Sequence, residues 1–577
     1  MEKYYVGLGT SFHDPAIAVV DSSGEVVFAE ATERYLQDKR ALGCAADLRE
    51  TVRRIVTEHC DPSADYVVAK SWSRRAAIAL DALSLLGLTS HERLPRRSSA
   101  TSRFLWDRRE LFTSVWRQHA ANKLSGGHVA EVLGRHGNRR VSYLAFEHHL
   151  AHAANGCYTS PFHEAACMVI DGQGEGGSIS YYEYRNGRIR LLERMRGPQS
   201  LGLLYALGTE LCGFDPRMGE DWKMMGLAPY GTLDPDVHQA LRSLVVLNGM
   251  TFRYPRTSEM RRWVSHLRGR ARPKGADPMA GANLAHTVQA FYGEVMDHLL
   301  ARFHEMGVSR NLVLAGGCAL NSSYNGRIVG RTGFEALHVP SAPADDGNAL
   351  GAAFLAYYRD HPDATPPASV GSPYLGSTIS DRPIGERVRL GRLANARHCP
   401  GSVHDEAARL LDEGKIVGWI QGRAEFGPRA LGNRSILADP RRGDVRDRVN
   451  AIVKFREQFR PFAPSILDEH GAAYFESYQS SPYMERALVW RREVRSRVPA
   501  VVHVDGTGRL QSVRREWNER LHALLSAFHR RTGVPVLLNT SFNVIGKPIV
   551  HALEEALGLF CTTALDVLVV DDFVIEK

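Results

Sequence analysis

Eight cysteines occur in 577 residues, at 44, 60, 157, 167, 212, 318, 399 and 561, and none forms a CxxC pair. Neither a zinc knuckle nor a disulfide framework is therefore indicated. No apolar run approaches the roughly 18 residues of a membrane span. The opening MEKYYVGLGTSFHD lacks the basic-then-apolar pattern of a secretory leader, so a cytoplasmic protein without a membrane partner is expected. Low-complexity tracts and solenoid repeats are missing as well. Charge of one sign is not in large excess: 72 Lys+Arg against 64 Asp+Glu leave +8, which does not demand a nucleic-acid partner. The HExxH of zinc peptidases is also absent. In EHHLAHAAN, Glu147 precedes the first histidine and Leu150-Ala151 fill the middle, so the general base of that chemistry is missing.

What is present is a folded α/β pattern. Hydrophobic residues make up 44% and charged residues 24%, a globular balance, and the length exceeds what one core fills. YYVGLG, AIAVVD and EVVFAEATE read as strands separated by SFHD and SSG, with helix near 46–60. A second such set starts at Ala165, with an NG turn at Asn186-Gly187. A third loop, NLVLAGGCALNSS from Asn311, reads as buried strand, glycine-rich turn and helix. The repetition predicts two related α/β halves. Between 91 and 117 the chain carries seven arginines against three acids, and Leu105, Phe112 and Trp116 can share a helix face over the domain. The same stretch also suits an acceptor-binding insertion, placed at about 72–140. HPDATPPASVGSPYLGS reads as linker. The expected division is 1–365, a linker 366–399, and 400–577.

Ten Arg/Lys lie between 421 and 462, from QGRAEFGPRALGNRS to FRPFAPS. Arg429 and Arg434 stand in a turn-rich, small-residue context where a ligand can approach the backbone and guanidinium forks can grip phosphate or carboxylate. Arg460 precedes two prolines that stiffen its loop. Near the end VPVLLNTSFNVIGKPI is a buried strand followed by Asn539, Thr540, Ser541 and Asn543, neutral donors and acceptors where open α/β sheets bind ligands. An anionic small-molecule pocket is expected. Single-stranded RNA is the rival, but the interleaved aromatic platforms it needs are missing.

His148 and His152, at i and i+4, share a helix face. Alone, HxxxH also describes packed histidines. Asp171, at the end of the strand AACMVI and the start of GQGEGG, and the pair Asp345-Asp346 before GNALGAA add carboxylates. Two imidazoles with one or two carboxylates make a mixed N/O site suited to a first-row divalent metal. His149, about 100° round the same helix, is expected to point elsewhere.

FHDPAIAVV, EHHLAHAAN, VIDGQGEGGS, KMMGLAPYG, AGGCALN and DDGNALGAA, in this order, resemble motifs of the O-carbamoyltransferases of antibiotic and nodulation-factor biosynthesis. GRAEFGPRALGNRSIL, KFREQFRPFAPS and NTSFNVIGKPI resemble that family's second half. The resemblance implies a duplicated actin-like N-terminal domain followed by a YrdC-like α/β C-terminal domain. It implies that carbamoyl phosphate and Mg-ATP give carbamoyl-adenylate in the second domain, and that the first moves the carbamoyl group to a hydroxyl of a small natural product. Matched residue by residue, it assigns the metal, iron(II) in the family, to His148, His152, Asp171 and Asp346. Ligand type by itself equally allows manganese or zinc. His13 matches a transfer-site residue able to take the hydroxyl proton; a histidine bonded to its own turn is the plain alternative. Arg429, Lys454, Arg460 and Arg509 match positions for the carbamoyl phosphate and ATP charges. Arg423, Arg434, Asn539, Ser541 and Asn543 are expected in support, and Gly172, Gly174, Gly316, Gly317 and Asn321 in the nucleotide loops of the first domain.

Two other functions compete: a tRNA-modifying threonylcarbamoyl-type transferase, and a nucleotide-binding regulator without turnover. The first would not need the GPRALGNRS half, and the second predicts lost charges at motif positions that are present here. The arginine-rich insertion favours a neutral or anionic acceptor over a polycation.

Overall fold

The computed structural model describes residues 2–85, 117–138, 140–367, 369–379, 381–391 and 395–577. Residues 86–116, the centre of the arginine-rich insertion with its expected helix face, lie outside the described residues. The chain forms two compact units. One comprises Met1–Leu36, Arg40–Asn321 and Ile328–Gly371, the other Gln37–Lys39, Ser322–Arg327 and Ser372–Lys577.

The first unit holds two five-stranded sheets. β1 (Lys3–Gly9), β2 (Ala16–Val20), β3 (Val26–Ala31), β4 (Asp65–Lys70) and β5 (Val141–Ala145) stand in the order β3-β2-β1-β4-β5. β6 (Glu164–Ile170), β7 (Gly177–Arg185) and β8 (Arg188–Arg196) precede a small hairpin, β9 (Val246–Asn248) and β10 (Thr251–Arg253). With β11 (Asn311–Ala315) and β12 (Ala336–His338), they form the second sheet, β12-β11-β6-β7-β8. Renumbered from its own first strand, the second order is the first. The directions agree too: β1 is antiparallel to β2 and parallel to β4, and β6 is antiparallel to β7 and parallel to β11. The duplication expected from the recurring strand sets is present.

Local sequence explains these elements. β2, AIAVV, and the last six residues of β1 are wholly buried, as befits strands covered on both faces. Asn186 (φ 45°) and Gly187 (φ 78°) both adopt the left-handed region that joins β7 to β8 in a tight hairpin. Helix α1 (His148–Tyr158) and helix α2 (Asn348–Asp360) pack together. Small residues are required there: a Cβ at Gly7 would lie 1.8 Å from Ala349 O, and one at Gly351 would lie 1.9 Å from Ala151 O. The helix NALGAAF is small because backbone meets backbone on both of its sides.

The second unit is built on a nine-stranded mixed sheet. Its strands are β14 (Ala396–His398), β15 (Val417–Ile420), β17 (Arg434–Ala438), β18 (Ala463–Leu467), β19 (Arg486–Val489), β20 (Thr507–Val513), β21 (Val536–Ser541), β22 (Val567–Val570) and β23 (Phe573–Glu576), in the order β14-β23-β22-β15-β17-β21-β18-β20-β19. A two-stranded sheet pairs β13 (Tyr374–Thr378) with β16 (Arg423–Glu425). Trp419 and Trp490 are among the largest fully buried side chains of its core. The stretch expected as linker is structured here from Ser372 onward. β13 pairs with β16, Asp381–Leu390 is helical, and β14 joins β23. Proline and glycine marked turns between short elements, not a tether.

Candidate metal centre and anion site

In the first unit the polar residues stand in the segments that follow β1, β5, β6, β11 and β12. α1 starts at His148, with the Glu147 side chain accepting from Leu150 N–H at 2.9 Å as its N-cap. Arg194 holds Glu147 at 2.8 Å. One helical turn apart, His148 and His152 aim their Nε2 atoms at the same place. His148 Nε2 lies 3.3 Å from Asp171 Oδ2 and 3.5 Å from Asp345 Oδ1. His152 Nε2 lies 3.7 and 3.3 Å from the same two oxygens. One donor atom from each of these four buried residues fits within 4.8 Å of all the others. Two nitrogens and two oxygens at this spacing could hold a divalent first-row ion.

The electrostatics follow from burial. Desolvation would lower the His148 and His152 pKa values, yet Asp171 and Asp345 raise both above the usual histidine range. Burial pushes Asp171 and Asp345 up, and the histidines hold both well below the usual carboxylate range. Protons on the imidazoles therefore occupy the electrostatic role that a cation would take.

Asp345 is the second carboxylate of the cluster, not the expected Asp346. Consecutive residues diverge at this turn. Asp346 Oδ1 accepts from Gly347 N–H at 3.0 Å, and burial with the Asp14, Glu33 and Asp345 charges pushes its pKa up to about 7. His13 sits at the rim of the cluster: Nδ1 is 2.9 Å from Asp14 Oδ2 and 3.7 Å from Asp345 Oδ2. Asp14 is in turn paired with Arg40 at 2.9 Å. His149 points away from the four donors, as expected, but into the interior, where Nδ1 meets Ser180 Oγ at 2.8 Å.

The glycines serve close approach. A Cβ at Gly174 would lie 2.6 Å from His149 Nε2, and one at Gly316 (φ 90°) 2.2 Å from Ile170 O. Gly317 N–H donates to Asp171 Oδ1 at 3.2 Å. Gly172 has open space where a Cβ would be. Asn321 exchanges two 3.1 Å hydrogen bonds with Gln289. Sequence reasoning missed Glu175, whose carboxylate accepts from Ser73 N–H at 2.6 Å and His148 N–H at 3.1 Å. It missed Trp72 too, whose ring centroid is 5.2 Å from that of His148. A lone acid inside a glycine loop was the available signal for Glu175; nothing local marked Trp72.

In the second unit, Lys454 ends a π-helical turn, Val449–Lys454, and its ammonium donates to Ser541 O (2.7 Å), Asn543 O (2.8 Å) and Asn543 Oδ1. Burial first, then Arg456 and Arg460, hold its pKa well below the usual lysine range. Burial, Arg429 and Arg456 likewise depress Arg509, and burial draws Arg429 down to about 10. Guanidinium groups do not give up protons in proteins, so Arg429 and Arg509 stay cations, the first buried and the second both buried and crowded by Arg429 and Arg456. Arg460 contacts Glu457 at 3.1 Å. Arg456, missed in the sequence, bonds Asn450 Oδ1 at 2.6 Å and stacks on Phe462.

Not every expected residue faces this place. Arg434 is fully buried and donates to the carbonyls of Gln421, Asn433, Ser377 and Gly422. Arg423 donates to Gly376 O and Leu375 O. Asn539 donates to Ser465 Oγ and Gln511 Oε1 in the sheet interior. These three shape the scaffold. Glu425 does so most directly: its Oε1 accepts from Leu431, Asn433 and Arg434 N–H at 2.7, 2.7 and 3.1 Å, folding the loop that carries Arg429.

A mixed α/β protein with a buried N/O cluster in one unit and crowded cations in the other is the class that fold and sites define. Residues 4–354 match the family model of the carbamoyltransferase N-terminus, and residues 408–577 that of the carbamoyltransferase C-terminus. The chain belongs to the carbamoyltransferase family. It is 37% identical to nodulation protein NolNO of Sinorhizobium fredii, over 76% of this chain and 64% of that protein's length. It is 30% identical to the 3'-hydroxymethylcephem-O-carbamoyltransferase of Amycolatopsis lactamdurans, over 73% of this chain and 78% of that one. Among solved structures, full-length HypF in its phosphate- and nucleotide-bound form aligns with a TM-score of 0.35 and 11% identity, over 62% of this chain and 46% of that chain.

Proposed function

We propose that the protein is an ATP-dependent O-carbamoyltransferase acting on a hydroxyl of a small natural product. The duplicated sheets of the first unit support an actin-like domain, and the family's second half supports a YrdC-like domain from Ser372 onward. In the second unit, Arg429, Lys454, Arg460 and Arg509 receive carbamoyl phosphate and Mg-ATP. Water cleaves carbamoyl phosphate to carbamate and inorganic phosphate, and a carbamate oxygen then bonds to the α-phosphorus of ATP as pyrophosphate leaves, giving carbamoyl-adenylate. The cations stabilise the charge that gathers on the phosphoryl oxygens, and in such reactions that stabilisation supplies most of the catalysis. Ser541 and Asn543 orient the Lys454 ammonium.

Carbamoyl transfer then belongs to the first unit. His148, His152, Asp171 and Asp345 would hold a divalent ion, iron(II) in the family's manner, and the ion would supply positive charge to the adenylate. His13, steadied by Asp14, takes the proton of the attacking hydroxyl as its oxygen bonds to the carbamoyl carbon and AMP departs. A cytoplasmic setting suits the substrates, and among the described residues no helix is long and apolar enough to cross a membrane.

The carrying observation is the concentration of Lys454, Arg456, Arg460, Arg429 and Arg509, each with its pKa drawn down or drawing down a neighbour. A tRNA reader acting through the first unit does not need that crowding, and a nucleotide-binding regulator is separated by turnover alone. Incubation with ATP, carbamoyl phosphate and a panel of natural-product alcohols should yield AMP, pyrophosphate and one carbamate ester. Salt-sensitive tRNA binding with no pyrophosphate would favour the tRNA-modifying alternative instead.

A further inference from the structure

The amide of Asn348 conflicts with the metal-ready state of the histidines beside it. Asn348 opens α2 and is fully buried at 0% exposure. Its Nδ2 lies 3.4 Å from His148 Nδ1 and 3.1 Å from His152 Nε2. Its Oδ1, equally buried, has no hydrogen-bond partner. His148 turns Nε2 to Asp171 and Asp345, so Nε2 is the atom it offers an ion. A neutral imidazole carries one proton, and a free lone pair at Nε2 puts that proton on Nδ1. An amide NH2 facing Nδ1 then sets donor against donor. At His152 the same NH2 points at Nε2 and takes up the lone pair that an ion would use.

Exchanging the amide oxygen and nitrogen by a half-turn of the side chain removes both conflicts. The two orientations have the same shape and differ only in hydrogen bonding. The oxygen then accepts from His148 Nδ1–H, and His152 Nε2 is released. We propose that Asn348 is the positioning residue of the metal centre: its side-chain carbonyl accepts the Nδ1 proton of His148 and so presents Nε2 to the ion. The inference rests on the His/Asp cluster being a metal site, and adds the group that selects the tautomer. Metal-bound histidines commonly donate their other N–H to such an acceptor, and its loss costs roughly 10–100-fold in affinity.

The test uses the full-length protein, Co2+ as the visible probe and Zn2+ for nitrogen-resolved NMR of the imidazoles. Chelator competition gives the affinities of wild type, Asn348→Asp and Asn348→Leu. The wild type should bind Co2+, with the Zn2+-loaded His148 protonated at Nδ1. Asn348→Asp offers an acceptor oxygen on either side and should bind within a few-fold of wild type. Asn348→Leu, of similar volume but without an acceptor, should lose roughly 10–100-fold and alter the cobalt spectrum. A purely packing role would lower the melting temperature of the metal-free protein and leave the affinity and spectrum of the folded fraction unchanged. Should the leucine variant fail to fold, Asn348→Ala replaces it in the comparison with Asn348→Asp. Wild-type affinity and spectrum in a folded variant lacking the acceptor overturn the inference and leave the metal site standing. No cobalt binding by the wild type removes the site, and the inference with it.

Discussion

Asp345 and Asp346 are neighbours with opposite environments, and they separate the two readings of the DDGN turn. Asp345 is held ionised by His148 and His152, whereas burial and like charges push Asp346 up to about 7. Asp345→Asn should therefore strip metal from the protein, and Asp346→Asn should leave metal content near wild type; elemental analysis of both variants decides it. His148→Ala and His152→Ala should lose metal as Asp345→Asn does, because a vacancy in a chelating set is filled only by water. His149→Ala should keep its metal but unfold more easily, since the ring is 1% exposed and bonded to Ser180. A large-to-small change at such a site costs on the order of 2–4 kcal/mol, readable in denaturant titrations. The histidines were legible in the sequence because i,i+4 spacing survives translation into a helix. The choice between two adjacent aspartates was not, since it depends on which way a short turn sends each side chain.

At the scale of elements, the cluster gathers its donors from α1, which follows the edge strand β5, from the end of the central strand β6 and from the turn after the edge strand β12; of these strands only β6 was plain from its apolar run. The duplication was readable because both halves repeat the same strand-turn-strand opening. The linker was misread because proline and glycine look alike whether they separate domains or punctuate short strands. The cluster also gives α1 a pH signature. Histidines whose folded pKa is raised stabilise the metal-free protein below their unfolded pKa, and this stability is lost as pH rises through the folded values. His149, depressed by burial and by the charge of His148, acts in the opposite sense. Asp171 and Asp345 stay ionised across this range, being depressed, whereas Asp346, pushed up to about 7, ionises within it and adds negative charge beside the cluster as pH rises, in the same direction. The metal replaces the protons of His148 and His152, so the rise in melting temperature on adding metal should grow as pH increases from 6 to 8. A rise that shrinks over that interval would contradict the ligand assignment.

At the scale of the whole molecule, the proposed function gives each of the two units its own chemistry. Residues 372–577 carry the nine-stranded sheet together with β13 and its partner β16. A fragment starting at Ser372 should be more stable than one starting at residue 395, which lacks β13 and the helix Asp381–Leu390; thermal unfolding of the two fragments compares them. The central claim is the division of labour, and pyrophosphate release from ATP and carbamoyl phosphate without any acceptor tests it most directly. Arg509→Ala and Lys454→Ala each remove a cation expected at the phosphoryl oxygens, a loss of roughly 10²–10³ in rate. His152→Ala, depleted of metal, should release pyrophosphate at close to the wild-type rate. Undiminished release in Arg509→Ala and Lys454→Ala, or its collapse in a folded His152→Ala, would contradict the account.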